Sequence, residues 1–230
     1  MGDRIDFPSN ESQARGYLAV PAGGSEHTIG VLVIQEWWGL VDQITHTCDR
    51  FAEAGFTALA PDLYQGTAVP LTEPDEAAKQ MMALEMGTAA AQLSGAVDEL
   101  LRRTGASSVG VVGFCMGGGL ALVLACQRPD AVHAVVPAYG VIPWADARPD
   151  YSSLGAVVEG HVAELDASFS PEAADALVAE LTGLGKTASF HHYPGVDHAF
   201  FNEDRPEVYD ADAAALLWER TVAFLRSALS

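Results

Sequence analysis

Lysine is nearly missing from this chain: only Lys79 and Lys186 occur, and 12 basic residues face 31 acidic ones, for a formal charge of -19. Such a surface repels phosphate backbones, which excludes nucleic acid as a partner and leaves a small molecule. The acids are scattered and not gathered into a tail, so they describe a self-repelling surface and no function. Cysteine is scarce too. Cys48, Cys115 and Cys126 form an odd set without metal-ligand spacing, so neither a disulfide framework nor a metal site is expected. The first residues lack a basic stretch followed by a continuous apolar one, and no apolar run approaches the ~18 residues of a membrane span. A reducing, cytoplasmic setting without a membrane partner is expected, in which the Asn10-Glu11-Ser12 sequon stays idle. Repeats, linkers and low-complexity segments are absent, and 230 residues suit one α/β domain over 1–230 with a sizeable core. The oligomeric state stays open, with a monomer the simpler expectation.

What is present is alternation. Ala14 to Val20 reads as a short strand closed by Pro21 and Gly23-Gly24. Val31 to Gln35 is an uninterrupted apolar strand of the kind buried on both faces of a parallel sheet, and it ends in Glu36-Trp37-Trp38-Gly39. Asp42 can cap a helix running to about Ala54, Gly55 stops it, and Phe56 to Ala60 returns as a strand. A loop over 66–71 leads to helices over Glu73 to Met86 and Thr88 to Arg103, where Met81, Met82 and Met86 read as core filler. Further strands are expected at Ser108 to Gly113, Ala131 to Tyr139, Ala156 to Glu159 and Ala188 to Tyr193. Helices are expected from Ser170-Pro171-Glu172 to Leu184 and from Pro206 to Leu229. This order implies a mostly parallel sheet covered on both faces, with ligands outside the carboxyl ends of the strands.

Two suggestive segments carry no chemistry. Gly185-Lys186-Thr187 has Glu180 where a phosphate loop needs its first glycine, and it precedes a strand, so it is a helix stop. His191 and His192 point to opposite faces of a strand and form no metal pattern with His198.

The chain is organised around Gly113-Phe114-Cys115-Met116-Gly117-Gly118, a strand, a tight turn and a helix with a nucleophile at the turn. The glycines of this G-x-C-x-G pattern lack the Cβ that would collide where the chain reverses, so Cys115 can sit strained above the sheet. Backbone NH groups at the start of the following helix favour negative charge and can hold an oxyanion. A free cysteine is otherwise a buried small hydrophobe, but the strand-turn-helix setting argues for attack on a carbonyl.

A cysteine nucleophile needs a base, and the base needs an orienting acid. Asp166 and His198 follow Cys115 in the order nucleophile, acid, histidine, each in a loop after an expected strand. Glu164, two positions earlier, rivals Asp166, whereas Asp197 diverges from its neighbour His198. Glu36, at the end of a buried strand, is either paired and structural or placed to take the thiol proton.

Gln35-Glu36-Trp37-Trp38-Gly39, Ala60-Pro61-Asp62-Leu63-Tyr64, the cysteine turn, Tyr139-Gly140, Glu164-Leu165-Asp166 and Tyr193-Pro194-Gly195-Val196-Asp197-His198-Ala199-Phe200 together resemble the dienelactone hydrolase family, also called carboxymethylenebutenolidases. The resemblance covers nearly the whole chain. It implies an α/β-hydrolase fold, a Cys115-His198-Asp166 triad, Glu36 as acceptor of the thiol proton, and an oxyanion held by the amides of Trp37 and Met116. It implies no cofactor and a lactone or ester as substrate. Members acting on dienelactone hold its carboxylate with arginines, one of them four residues beyond the histidine; here Asn202 stands there, and no arginine lies between Arg50 and Arg102. Lys79 and Arg205 are the remaining cations, so little preference for a substrate carboxylate is expected. Trp37, Trp38, Tyr64, Tyr139, Phe200 and Phe201 are expected to line an apolar mouth. The expected function is a cysteine-dependent hydrolase that opens lactones or cleaves activated esters through a thioester. A general carboxylesterase or thioesterase with a structural Glu36, or a non-catalytic ligand-binding member of the fold, is the alternative.

Overall fold

The apolar runs become the middle of a sheet. β3 (Ile29–Ile34), β4 (Phe56–Pro61), β5 (Val109–Phe114) and β6 (Val132–Ala138) are buried almost end to end, as parallel strands covered on two faces must be. β1 (Asp3–Ser9), β2 (Ser12–Ala19), β7 (Val157–Ala163) and β8 (Ala188–Tyr193) complete the order β1-β2-β4-β3-β5-β6-β7-β8. Only the pairings of β1 with β2 and of β2 with β4 are antiparallel. The computed structural model describes all residues except Glu11, the middle of the sequon, and Val141, together with the side chain of Ala145.

Among the described residues six α-helices cover the sheet: α1 (Asp42–Glu53), α2 (Pro74–Met82), α3 (Met86–Thr104), α4 (Met116–Gln127), α5 (Pro171–Gly183) and α6 (Ala211–Ala228). α1 and α6 meet through Phe51 and Trp218, whose ring centroids are 4.6 Å apart. α3 lies on the opposite face, because neighbouring strands show it Gly30 and show α6 Gly110. α4 is apolar all round and buried along its length, which suits a helix wedged between the sheet and other elements.

Several boundaries differ from expectation, each for a local reason. β1 is an edge strand with only Phe7 and Ser9 buried, so its charged exposed positions conceal the pattern. Asp42 is the first residue of α1 and caps nothing; the flanking position belongs to Val41, and the Asp42 charge acts on the helix dipole instead. α6 begins after Asp210, which accepts from the Ala213 amide at 2.9 Å and so outcompetes Pro206 as a start. β7 continues through His161, which a polar residue obscured in the sequence. That imidazole is fully buried between the Tyr193 hydroxyl at 2.9 Å and Thr221 Oγ1 at 3.1 Å, and burial holds it well below the usual histidine range.

Candidate active site

The turn after β5 places a sulfur above the sheet. Cys115 adopts φ +55 and ψ -123 between Phe114 and the first residue of α4, a region costly for a residue with a Cβ. A Cβ on Gly113 would overlap the carbonyl oxygen of Gly117, so only glycine allows the reversal. A Cβ on Gly117 would lie 2.5 Å from the Ile34 carbonyl oxygen and 2.6 Å from that of Gln35. The start of α4 therefore presses on the end of β3, which brings the Met116 and Trp37 backbones to the same rim. Among the described residues, neither of these two amides donates to a backbone acceptor.

The loops after β7 and β8 supply the other members. His198 Nδ1 and Asp166 Oδ2 are 2.7 Å apart, and Asp166 Oδ1 accepts from the amides of Ser168 at 2.7 Å and Phe169 at 2.9 Å. Asp166 is thus buried with its acceptors filled, the arrangement that fixes a ring tautomer. Burial pulls the His198 imidazolium down, yet Asp166 and the adjacent Cys115 side chain outweigh it and raise His198 to about 10. Glu164 Oε2 instead accepts from the Gly195 amide at 2.7 Å, and Asp197 Oδ1 from the His198 amide at 2.6 Å. Of the three nearby acids, Asp166 is the one paired to the imidazole.

Glu36 is 1 % exposed, and its Oε2 accepts from Asn202 Nδ2 at 2.8 Å. Among the described residues neither its other oxygen nor the buried Tyr139 hydroxyl makes a hydrogen bond of full geometry, although the hydroxyl lies near enough to the carboxyl to favour its charged form. Burial raises the Glu36 carboxyl above the ordinary range, against the pull of Asn202, His198 and Arg205. Raised in this way, the carboxylate is a stronger base than an exposed one, which suits a group that receives a proton.

Cys115, His198, Glu36 and Trp37 share a pocket of about 340 Å³ with Met81, Ile142, Pro143, Ser168, Ala199 and Arg205. The expected aromatic mouth is corrected here. Trp38, Tyr64, Tyr139, Phe200 and Phe201 are buried behind the pocket, and Trp37 alone of the six lines it. Trp38 packs edge-on to Trp37 at 5.1 Å, the Tyr64 hydroxyl reaches Met116 Sδ at 3.6 Å, and Tyr139 abuts the His198 ring at 5.1 Å. Phe200 lies between Tyr139 at 5.6 Å and Tyr193 at 4.8 Å. Residue type signals apolar burial but does not separate a wall from the packing behind it.

Lys79 is also corrected. Its side chain is 74 % exposed on α2 and held by Glu76 at 3.2 Å, outside the pocket. Arg205 lines the pocket instead, its guanidinium 5.8 Å from the Trp38 ring centroid and bonded through Nε to Glu207 at 2.9 Å. Met81, which reads as core filler, is part of the same wall. Among the described residues no cluster of His, Cys, Asp or Glu can hold a metal, and no helix is long and apolar enough to cross a membrane.

The profile of the dienelactone hydrolase family matches residues 14–229. "Protein usf" of Aquifex pyrophilus is 37% identical over the full length of both chains. A "Putative carboxymethylenebutenolidase" of Aquifex aeolicus is 32% identical, again over all of both. The crystal structure titled "Putative Dienelactone Hydrolase" from Klebsiella pneumoniae superimposes with a TM-score of 0.87 at 26% identity, covering 98% of each chain.

Proposed function

The chain belongs to the dienelactone hydrolase family, a family of ester-bond hydrolases, and on that premise we propose that it opens lactones or cleaves activated carboxylic esters through a Cys115 thioester. The observation that carries this reading is the 2.7 Å pair of His198 and Asp166 in the pocket that also holds Cys115 and Glu36. The thiol proton passes to Glu36, because His198, raised to about 10, already carries its own at neutral pH, and the sulfur attacks the carbonyl carbon. Negative charge gathers on the carbonyl oxygen, where the amides of Trp37 and Met116 receive it. Collapse breaks the acyl carbon to oxygen bond, and the departing alkoxide takes a proton from His198. Water, deprotonated by the same imidazole, then cleaves the thioester and restores the thiol. Esters and lactones suit this route better than amides, because thiolate leaves a tetrahedral intermediate more readily than an amine does.

A second reading follows from the Asn202 to Glu36 hydrogen bond, which supports a structural carboxyl and a plain carboxylesterase or thioesterase. Kinetics on lactones and aryl esters, with and without a carboxylate, separate the two. Cys115→Ala and His198→Ala each lower kcat by ~10³-fold or more on every substrate; retained turnover in either overturns the triad. Glu36→Gln depresses lactone opening more than ester cleavage if Glu36 receives the proton, and equal effects favour the structural role. Arg205 in the pocket wall favours substrates with an anionic group, in contrast to the small carboxylate preference expected from Asn202 and from the lack of arginine between Arg50 and Arg102. A carboxylate preference that disappears in Arg205→Gln assigns the recognition to that guanidinium.

A further inference from the structure

Next to the catalytic pocket lies a larger hollow of about 890 Å³ that the reaction above does not use. Its floor is the side of α4 at Leu120, Val123 and Leu124, and its walls include Met86 and Leu93 from α3 and Trp144 from the loop after β6. Pro143 borders both cavities, while Met81 faces the catalytic pocket and its neighbour Met82 faces the hollow. Trp144 Nε1 donates to the Met81 carbonyl at 3.2 Å, so the loop is tied to the end of α2 where the two spaces meet. Methionines at such a boundary adapt to whatever passes them. The exposed charged residues of the lining, Asp146, Arg148 and Asp150, come from the loop that forms the far wall. The floor itself is apolar.

Helix geometry gives the hollow a direction. At 1.5 Å per residue, Leu120 lies ~7 Å along α4 from the sulfur-bearing residue and Gln127 ~18 Å. An acetyl group is shorter than that axial rise to Leu120, and an extended octanoyl chain is longer. We propose that the hollow is a subsite for the aliphatic tail of the substrate, and that preferred substrates are esters or lactones bearing an unbranched chain longer than butanoyl. This rests on the ester-hydrolase reading and names the substrate class of the same active centre. Adjacency to the catalytic pocket across Pro143 favours a tail covalently joined to the reacting carbonyl over an independent ligand.

The test is a chain-length series of p-nitrophenyl esters, from acetate to dodecanoate, kept below their micellar concentrations. A buried methylene is worth up to about fourfold in kcat/KM, so a partly open hollow should give at least about tenfold between acetate and octanoate. Ala90→Phe fills the hollow from a half-buried position on α3, and Met82→Glu charges its exposed entrance; each should lower the octanoate to acetate ratio by about tenfold. A flat or falling series, or a ratio that neither variant changes, overturns the subsite while leaving the hydrolase reading intact. Sedimentation of the native chain as a dimer that Met82→Glu dissociates would assign the hollow to a second copy and also overturn it. If no ester is turned over, the hydrolase reading fails, and octanoate quenching of tryptophan fluorescence decides the subsite alone. Quenching lost in Ala90→Phe upholds it, and no quenching overturns it.

Discussion

Glu36 sets stability against the chemistry proposed for it. Its carboxyl is raised by burial, so the unfolded chain releases that proton more readily than the folded one does. The folded state therefore loses stability as pH rises above the ordinary carboxylate value of ~4.3, until the raised folded value is passed. Glu36→Gln removes the charge, keeps an acceptor for Asn202 and offers its amide to the neighbouring Tyr139 hydroxyl. The expected gain is ~1–3 kcal/mol at pH 8, or ~2–9 °C in Tm for a chain of this size, shrinking toward zero near pH 4. Thermal melts at both pH values check it; an equal or lower Tm at pH 8 shows that the carboxylate is better accommodated than its surroundings indicate. Asn202 acquires a use at this scale as well. Its amide is the donor that holds Glu36 in place, from the position at which the family's dienelactone-binding members carry an arginine.

At the scale of elements, the β5-turn-α4 unit is the best-specified part of the chain. The Gly113→Ala variant should fail to fold or lose well over ~3 kcal/mol, because its Cβ overlaps the Gly117 backbone and neither strand nor helix can yield. Denaturant unfolding against a Gly183→Ala control, where a Cβ meets open space, measures the difference. That unit was legible from sequence because steric need leaves a glycine signature and because β5 is apolar throughout. The end of β7 was not, since His161 reads as a loop residue until Tyr193 and Thr221 satisfy both its nitrogens. The same limit explains the aromatics: Tyr139 backs the imidazole and Phe200 backs Tyr139, a role their chemistry shares with pocket lining. The order of Cys115, Asp166 and His198 was readable because three strands end on one side of a parallel sheet. The approach of Arg205 was not, because it depends on the turns between Asn202 and α6.

Across the whole molecule, the sheet gathers titratable groups at one rim while the acidic excess is spread over the outside, so the Arg205 guanidinium in the pocket wall stands out for an incoming anion. The three thiols are divided in a comparable way. Burial pushes Cys48 far up, and it pushes half-buried Cys126 to about 11, whereas Cys115 opens onto the catalytic pocket. Brief iodoacetamide treatment at pH 7 should therefore add one carbamidomethyl group per native chain, located on Cys115 by peptide mass mapping, and octanoate should slow it. Adducts on Cys126 first would contradict that ranking. Because one sulfur is expected to respond, the extent of labelling becomes a census of competent molecules: a preparation can be titrated for its working fraction without any substrate at all.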